Sequence, residues 1–145
     1  MTKSLRLTVL IAALLVLMAM YLFQRVNFAG LLYSILPWQW LQEPEGTFIM
    51  NRLTRMVIND VACLFLIDSI FRDARYNQLA FTVFLVELLI ILPAYVTLKL
   101  IMEGPTELSM PALAQVHRMI VNPLLMFVLI VAFFYQRLRE TKTDS

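Results

Sequence analysis

The chain has 145 residues, 61% of them apolar and 15% charged, with a net charge of +2. So little polar residue cannot clothe a soluble domain of this length, which excludes an ordinary soluble enzyme or binding module and predicts an integral membrane protein. The basic residues fall in short clusters between apolar runs, which argues against nucleic acid as a partner, and the single cysteine, Cys63, excludes an internal disulfide.

The first apolar run, residues 7–23, follows Lys3 and Arg6, as the core of a secretory signal does. It closes on Met20, Tyr21, Leu22, Phe23 and Gln24 with no small-x-small cleavage site, so it is expected to stay as a membrane anchor. Residues 27–46, broken by Pro37, are too interrupted to cross a bilayer, yet Leu31, Leu32, Ile35, Leu36, Trp38 and Trp40 make them too apolar to lie free in water. Tryptophan favours the membrane interface because its ring is apolar and its N–H wants a partner. This predicts a half-helix in that layer, with a partner-docking patch as the rival reading. Three further runs, 48–71, 79–98 and 111–135, each approach the ~20 residues that a helix needs to span hydrocarbon. None alternates with the period of two of a barrel strand, so all are predicted helices. Between the last two runs, residues 103–110 contain Gly104 and Pro105 and should turn tightly before Pro111 opens a helix. The expected architecture is all-α: a single membrane domain, residues 1–145, of four transmembrane helices with an interfacial segment between the first and second.

Lys3, Arg6, Arg72, Arg75, Arg137, Arg139 and Lys142 flank the runs on one side of this arrangement. The other side has Arg25 and Lys99 beside Glu43, Glu45, Glu103 and Glu107. The positive-inside rule therefore places both termini in the cytoplasm.

One short pattern occurs twice: Arg55, Met56, Val57, Ile58 and Asn59 recur, with the branched residues exchanged, as Arg118, Met119, Ile120, Val121 and Asn122. In hydrocarbon an arginine costs from about 3 to about 10 kcal/mol or more, so such residues face protein, water or a headgroup. On a helix Arg52, Arg55 and Asn59 fall within roughly 60° of one another. Arg118 and Asn122 share a face of the fourth span, with His117 beside them. At nearly equal depth in the outer half, Arg55 and Arg118 are placed to converge on one anion. That anion would be a carboxylate of this chain, a lipid phosphate, or an acidic group of a partner or substrate. The plainer alternative has both arginines neutralised inside the bundle or snorkelling to headgroups.

Asp60 and Glu87 stand about level within the second and third runs, and Asp68 lies further along the second. An intramembrane acid pair serves transporters as a proton or cation relay, although four short spans leave little room for an aqueous path. Cys63, His117 and Arg118 are the residue types of an intramembrane thiol enzyme: nucleophile, base and oxyanion partner. Their depths disagree, since Cys63 lies near mid-membrane, about 12 Å below His117 by helix rise. A non-catalytic chain is the stronger expectation. No metal-ligand spacing or phosphate loop occurs, so neither metal nor cofactor is expected.

The run His117, Arg118, Met119, Ile120, Val121, Asn122, Pro123, Leu124 and Leu125, leading into Ala132, Phe133, Phe134, Tyr135 and Gln136, resembles the exosortase F system-associated proteins. The arginine-rich start of the second span, Asn51 to Arg55, and the four-span layout share the likeness. That family consists of small proteins of the bacterial inner membrane. They are encoded beside a membrane cysteine transpeptidase thought to process proteins with C-terminal sorting tails. The resemblance implies a non-catalytic accessory subunit whose partners are membrane lipids and an exosortase-type transpeptidase. Given the likeness, the reading of the polar stripes sharpens: Arg52, Arg55, Asn59, His117, Arg118 and Asn122 are expected to bind an acidic or phosphate-bearing group of the enzyme, its substrate tail or a lipid.

Overall fold

The structure, a computed structural model, describes residues 3–105 and 111–143, apart from the side chains of residues 112, 117, 119–121, 141 and 143. All regular structure among the described residues is helical. Helix α1 is Lys3–Leu22 and α2 is Phe28–Ile35; a 3-10 turn, Gln39–Gln42, then leads into α3, Pro44–Phe71. Helix α4 is Ala74–Met102, α5 is Pro111–Val121 and α6 is Leu124–Thr143.

Local chemistry sets these boundaries. Asn27 caps α2, its side-chain oxygen accepting from the Gly30 N–H at 3.1 Å. The same oxygen accepts from the Asn51 side chain at 3.2 Å, and the Asn51 oxygen accepts from the buried Ala29 N–H at 2.9 Å, so α2 is laced to α3. As the sequence predicts, the helical path of residues 27–46 breaks at Pro37. Pro44 opens α3, where its missing N–H is no loss, and Glu45 complements the positive end of the helix dipole. Arg72, in the left-handed conformation at φ 57°, ends that helix. Asp73 immediately caps the next, accepting from the Arg75 N–H at 2.9 Å. A link this short makes α3 and α4 an antiparallel hairpin, fastened by Asn77 donating to Asp68.

Helix α4 contains one π turn, Glu87–Ile91. Pro93 lies just beyond it, has no N–H to offer, and would press its ring against the carbonyl of Leu89 in a regular helix. Widening the preceding turn relieves that clash. Proline acts again in the fourth apolar run. Residues 111–135 do not form the single helix expected, because Pro123 cannot continue the hydrogen-bond ladder. Asn122 and Pro123 form a turn between α5 and α6, with the Leu124 N–H bonded to the Asn122 carbonyl at 2.6 Å.

Helix α3 is the hub, with α1, α2, α4, α5 and α6 all packed against it. One core joins its second half to α4 and α6 through Cys63, Ile67, Phe71, Ala80, Phe84, Met126 and Phe133. Edge-on rings of Phe71 with Tyr76, Phe133 and Phe134 close that end. The other core joins its first half to the far part of α4 and to α5 through Phe48, Met56, Leu92, Tyr95 and Leu113. This pairing of ends makes α4 antiparallel to α3 and α6 parallel to it.

Two helices, Lys3–Leu22 and Ala74–Met102, are long and apolar enough to cross a membrane. Their apolar character is not explained by an internal core, since only 6% and 28% of their most apolar windows are buried. Helix α3, with 28 residues, is about as long as α4, about 42 Å by helix rise. Its charged residues lower its hydropathy, and its central position lets protein surround them.

Candidate functional site

Six residues are sequence candidates for anion binding, and the fold brings three of them together. Arg55 and Asn59 on α3 line a cavity of about 430 Å³ with Asn122 from the α5–α6 turn. Leu17, Met18, Met20, Tyr21 and Gln24 of the first helix and the turn after it form one wall, and Pro123, Leu124 and Phe127 form another. The i, i+4 spacing sets Arg55 and Asn59 on one face, one turn apart. Pro123 turns the chain beside them, so Asn122 reaches the cavity from a broken helix.

The cavity is a polar patch inside an apolar frame. Arg55 is the only charged side chain among the described residues that line it. One guanidinium nitrogen, Nη2, donates to the Val26 carbonyl at 2.9 Å, and the group stands 5.8 Å from the Phe28 ring centroid. These contacts tie Arg55 to the chain connecting α1 and α2, so its head is oriented before anything binds. Asn59 is buried. Its side chain, like that of Asn122, is an amide, a group that carries N–H donors and an oxygen acceptor. Tyr21 and Gln24 belong to the same lining.

The remaining candidates lie elsewhere. Arg52 is buried against the face of Phe48, its guanidinium carbon 3.8 Å from the ring centroid, which makes it a packing cation beside the Phe48 core. Its Nε has no hydrogen-bond partner among the described residues. Arg118 is exposed on α5 and is not among the described residues lining the cavity. Side-chain placement for His117 lies outside the described residues, as does Glu107.

Asp60 and Glu87, expected to stand level, are close enough across the α3–α4 interface to interact electrostatically. Both residues are buried, and Asp60 Oδ2 and Glu87 Oε2 have no partner among the described residues. Glu87 opens the π turn, so the widened turn and the acid pair share one level of α4. Cys63, one turn after Asp60, is fully buried in the core with Ile67 and Met126 and is not among the described residues lining the Arg55 cavity. A nucleophile must reach its substrate, and the Cys63 thiol has no exposed surface in this structure.

Sequence reasoning missed two features. Lys99 reads as a loop cation but is fully buried, forming an ion pair with Glu103 one turn later; the i, i+4 spacing was the available signal. Tyr21 and Gln24 read as the end of an anchor, and only the packing of α1 on α3 turns them into cavity lining. Among the described residues no group of three or more His, Cys, Asp or Glu side chains is arranged to hold a metal ion. No protein-family model, curated protein or solved structure matches the chain.

Proposed function

We propose that this is a four-pass protein of the bacterial inner membrane that acts without catalysis, as an accessory subunit to a membrane-embedded protein-processing enzyme of the exosortase type. The observation that carries the binding part of this reading is the cavity of Arg55, Asn59 and Asn122, where polar residues of one helix and of a proline turn line one hollow. A guanidinium and amide N–H groups in an apolar frame suit an acidic or phosphate-bearing group of a partner, a substrate tail or a lipid. The choice of an exosortase-type partner rests on the sequence resemblance around His117 to Leu125 and Asn51 to Arg55.

The packing supports a reading with four passes. Helices α1 and α4 qualify by length and apolarity, α3 lies antiparallel to α4 and matches it in length, and α6 runs parallel to α3. Helix α3 then carries its polar residues through the membrane inside a sheath of the other helices, as intramembrane charge requires. Both termini lie in the cytoplasm on this reading, and the cavity opens in the outer half.

The test is extraction in mild detergent, followed by identification of what travels with the chain. Arg55→Leu is expected to release the bound partner or lipid while leaving the protein inserted and its thermal unfolding cooperative. A complex that survives this change intact would overturn the proposal.

The Asp60–Glu87 contact favours a second reading, a transporter or channel subunit with a relay pair. Asp60→Asn with Glu87→Gln separates the two readings, because it stops a relay and spares a cavity lined by neither residue.

A further inference from the structure

The occupant of the cavity can be narrowed beyond an acidic group, on the premise that the cavity binds an anion at all. Polar residues reach the lining from three elements: Tyr21 on α1, Arg55 and Asn59 on α3, and Asn122 on the turn before α6. A carboxylate offers two oxygens in one plane, whereas a phosphate offers acceptors on all sides, which matches donors spread around a hollow. An adjoining hollow, formed by residues 22–26, shares Gln24 and adds a second cation, Arg25, near the cavity. No Asp or Glu is among the described residues lining either space.

The route in distinguishes a lipid from a soluble phosphate. Met18, Leu124 and Phe127 line the cavity and are also 55%, 43% and 45% exposed, so its sides continue onto the apolar outer surface of α1 and α6. An ion arriving from water has no use for such a flank, whereas a molecule already in the bilayer meets it first. At about 430 Å³ the space accepts a headgroup and the upper part of a chain, with the remainder lying on the apolar surface.

We propose that the cavity is a lateral binding site for the phosphate headgroup of an anionic lipid, with Arg55, Asn59 and Asn122 on the phosphate and Met18 and Phe127 along the chain. The bound lipid becomes part of the wall between α1 and α6. Any partner that docks there then recognises protein and lipid together.

The experiment uses the full chain in nanodiscs of phosphatidylcholine, with and without phosphatidylglycerol, and reads bound lipid by native mass spectrometry and stability by thermal unfolding. Phosphatidylglycerol is expected to be retained and to raise the unfolding temperature. Arg55→Ala and Asn122→Ala should each weaken retention by roughly tenfold or more. Arg137→Ala, a charge change at the opposite end of the bundle, should leave retention unaltered. If Arg55→Ala does not fold, Arg55→Lys serves in its place, because it keeps the charge, loses the planar fork, and should still weaken retention. Inorganic phosphate stabilising the protein as well as the lipid does would overturn the lipid assignment. So would a soluble acidic peptide that binds through Arg55 while phosphatidylglycerol is ignored, although the anion-binding reading would then stand. Failure of lipid, phosphate and peptide alike would remove both.

Discussion

Gly46 shows how closely single atoms are placed in this chain. A Cβ at that position would overlap the Trp40 carbonyl oxygen and lie 2.9 Å from its carbon, and neither backbone atom can move without shifting the Trp38–Trp40 elbow. Gly30 is different, because a Cβ there meets only the Asn27 side chain, at 3.3 Å. Gly46→Ala should therefore destabilise the protein by about 1–3 kcal/mol, as overpacking does, whereas Gly30→Ala should change stability by about 0.5 kcal/mol or less. Trp38 and Trp40 are the two tryptophans of the chain. The intrinsic emission spectrum therefore reports on this elbow alone, and it should shift in Gly46→Ala and stay fixed in Gly30→Ala. Equal behaviour of the two variants would mean that the elbow tolerates a wider backbone than its packing indicates.

At the scale of elements, the apolar runs were legible because helices are the economical solution for unbroken hydrocarbon-compatible sequence, and α1, α3 and α4 end within a few residues of the run boundaries. The two prolines inside runs were the weak point. Pro93 only widens its helix, because a single π turn absorbs the clash; Pro123, preceded by Asn122, ends one helix and starts another. Composition does not reveal which outcome a proline will have, since packing of the flanking segments decides it. The paired Arg and Asn pattern was half informative for the same reason. Its two asparagines meet in one cavity, but the break turns α5 so that Arg118 is exposed while Arg55 lines the hollow. Pro123→Ala tests this argument. Restoring the missing N–H favours one continuous helix, which should draw Leu113 out of the Phe48 core and Asn122 from the cavity. Amide exchange around residue 113 is expected to rise, and anionic lipid retention to fall by roughly tenfold. Unchanged exchange would show that packing of α5 on α3, not the proline, holds the break.

For the molecule as a whole, the balance of buried and exposed apolar surface specifies an environment. Leu7, Leu15, Met18, Tyr21 and Leu22 on α1 are all half-exposed or more, as are Leu89, Ile90 and Ile101 on α4 and Val128, Val131 and Leu138 on α6. Patches of this extent are not left to water. The polar residues follow the opposite rule: Arg52, Asn59, Asp60, Glu87 and Lys99 are buried, so the protein is polar within and apolar without. On the proposed four-pass reading two orientations in a bilayer are open, and the positive-inside rule predicts the one with the flanking cations in the cytoplasm. Lys3, Arg6, Arg72, Arg75, Arg137 and Arg139 belong to the ends that the Phe71 core brings together, and Glu43 and Glu45 belong to the other. With Cys63→Ala as background, Arg75→Cys and Glu140→Cys should react with a membrane-impermeant maleimide only after the cells are opened. Glu43→Cys should react in intact cells. Labelling of Arg75→Cys from outside would invert the bundle, move the Arg55 cavity to the cytoplasmic leaflet, and detach it from any partner that works on the outer face.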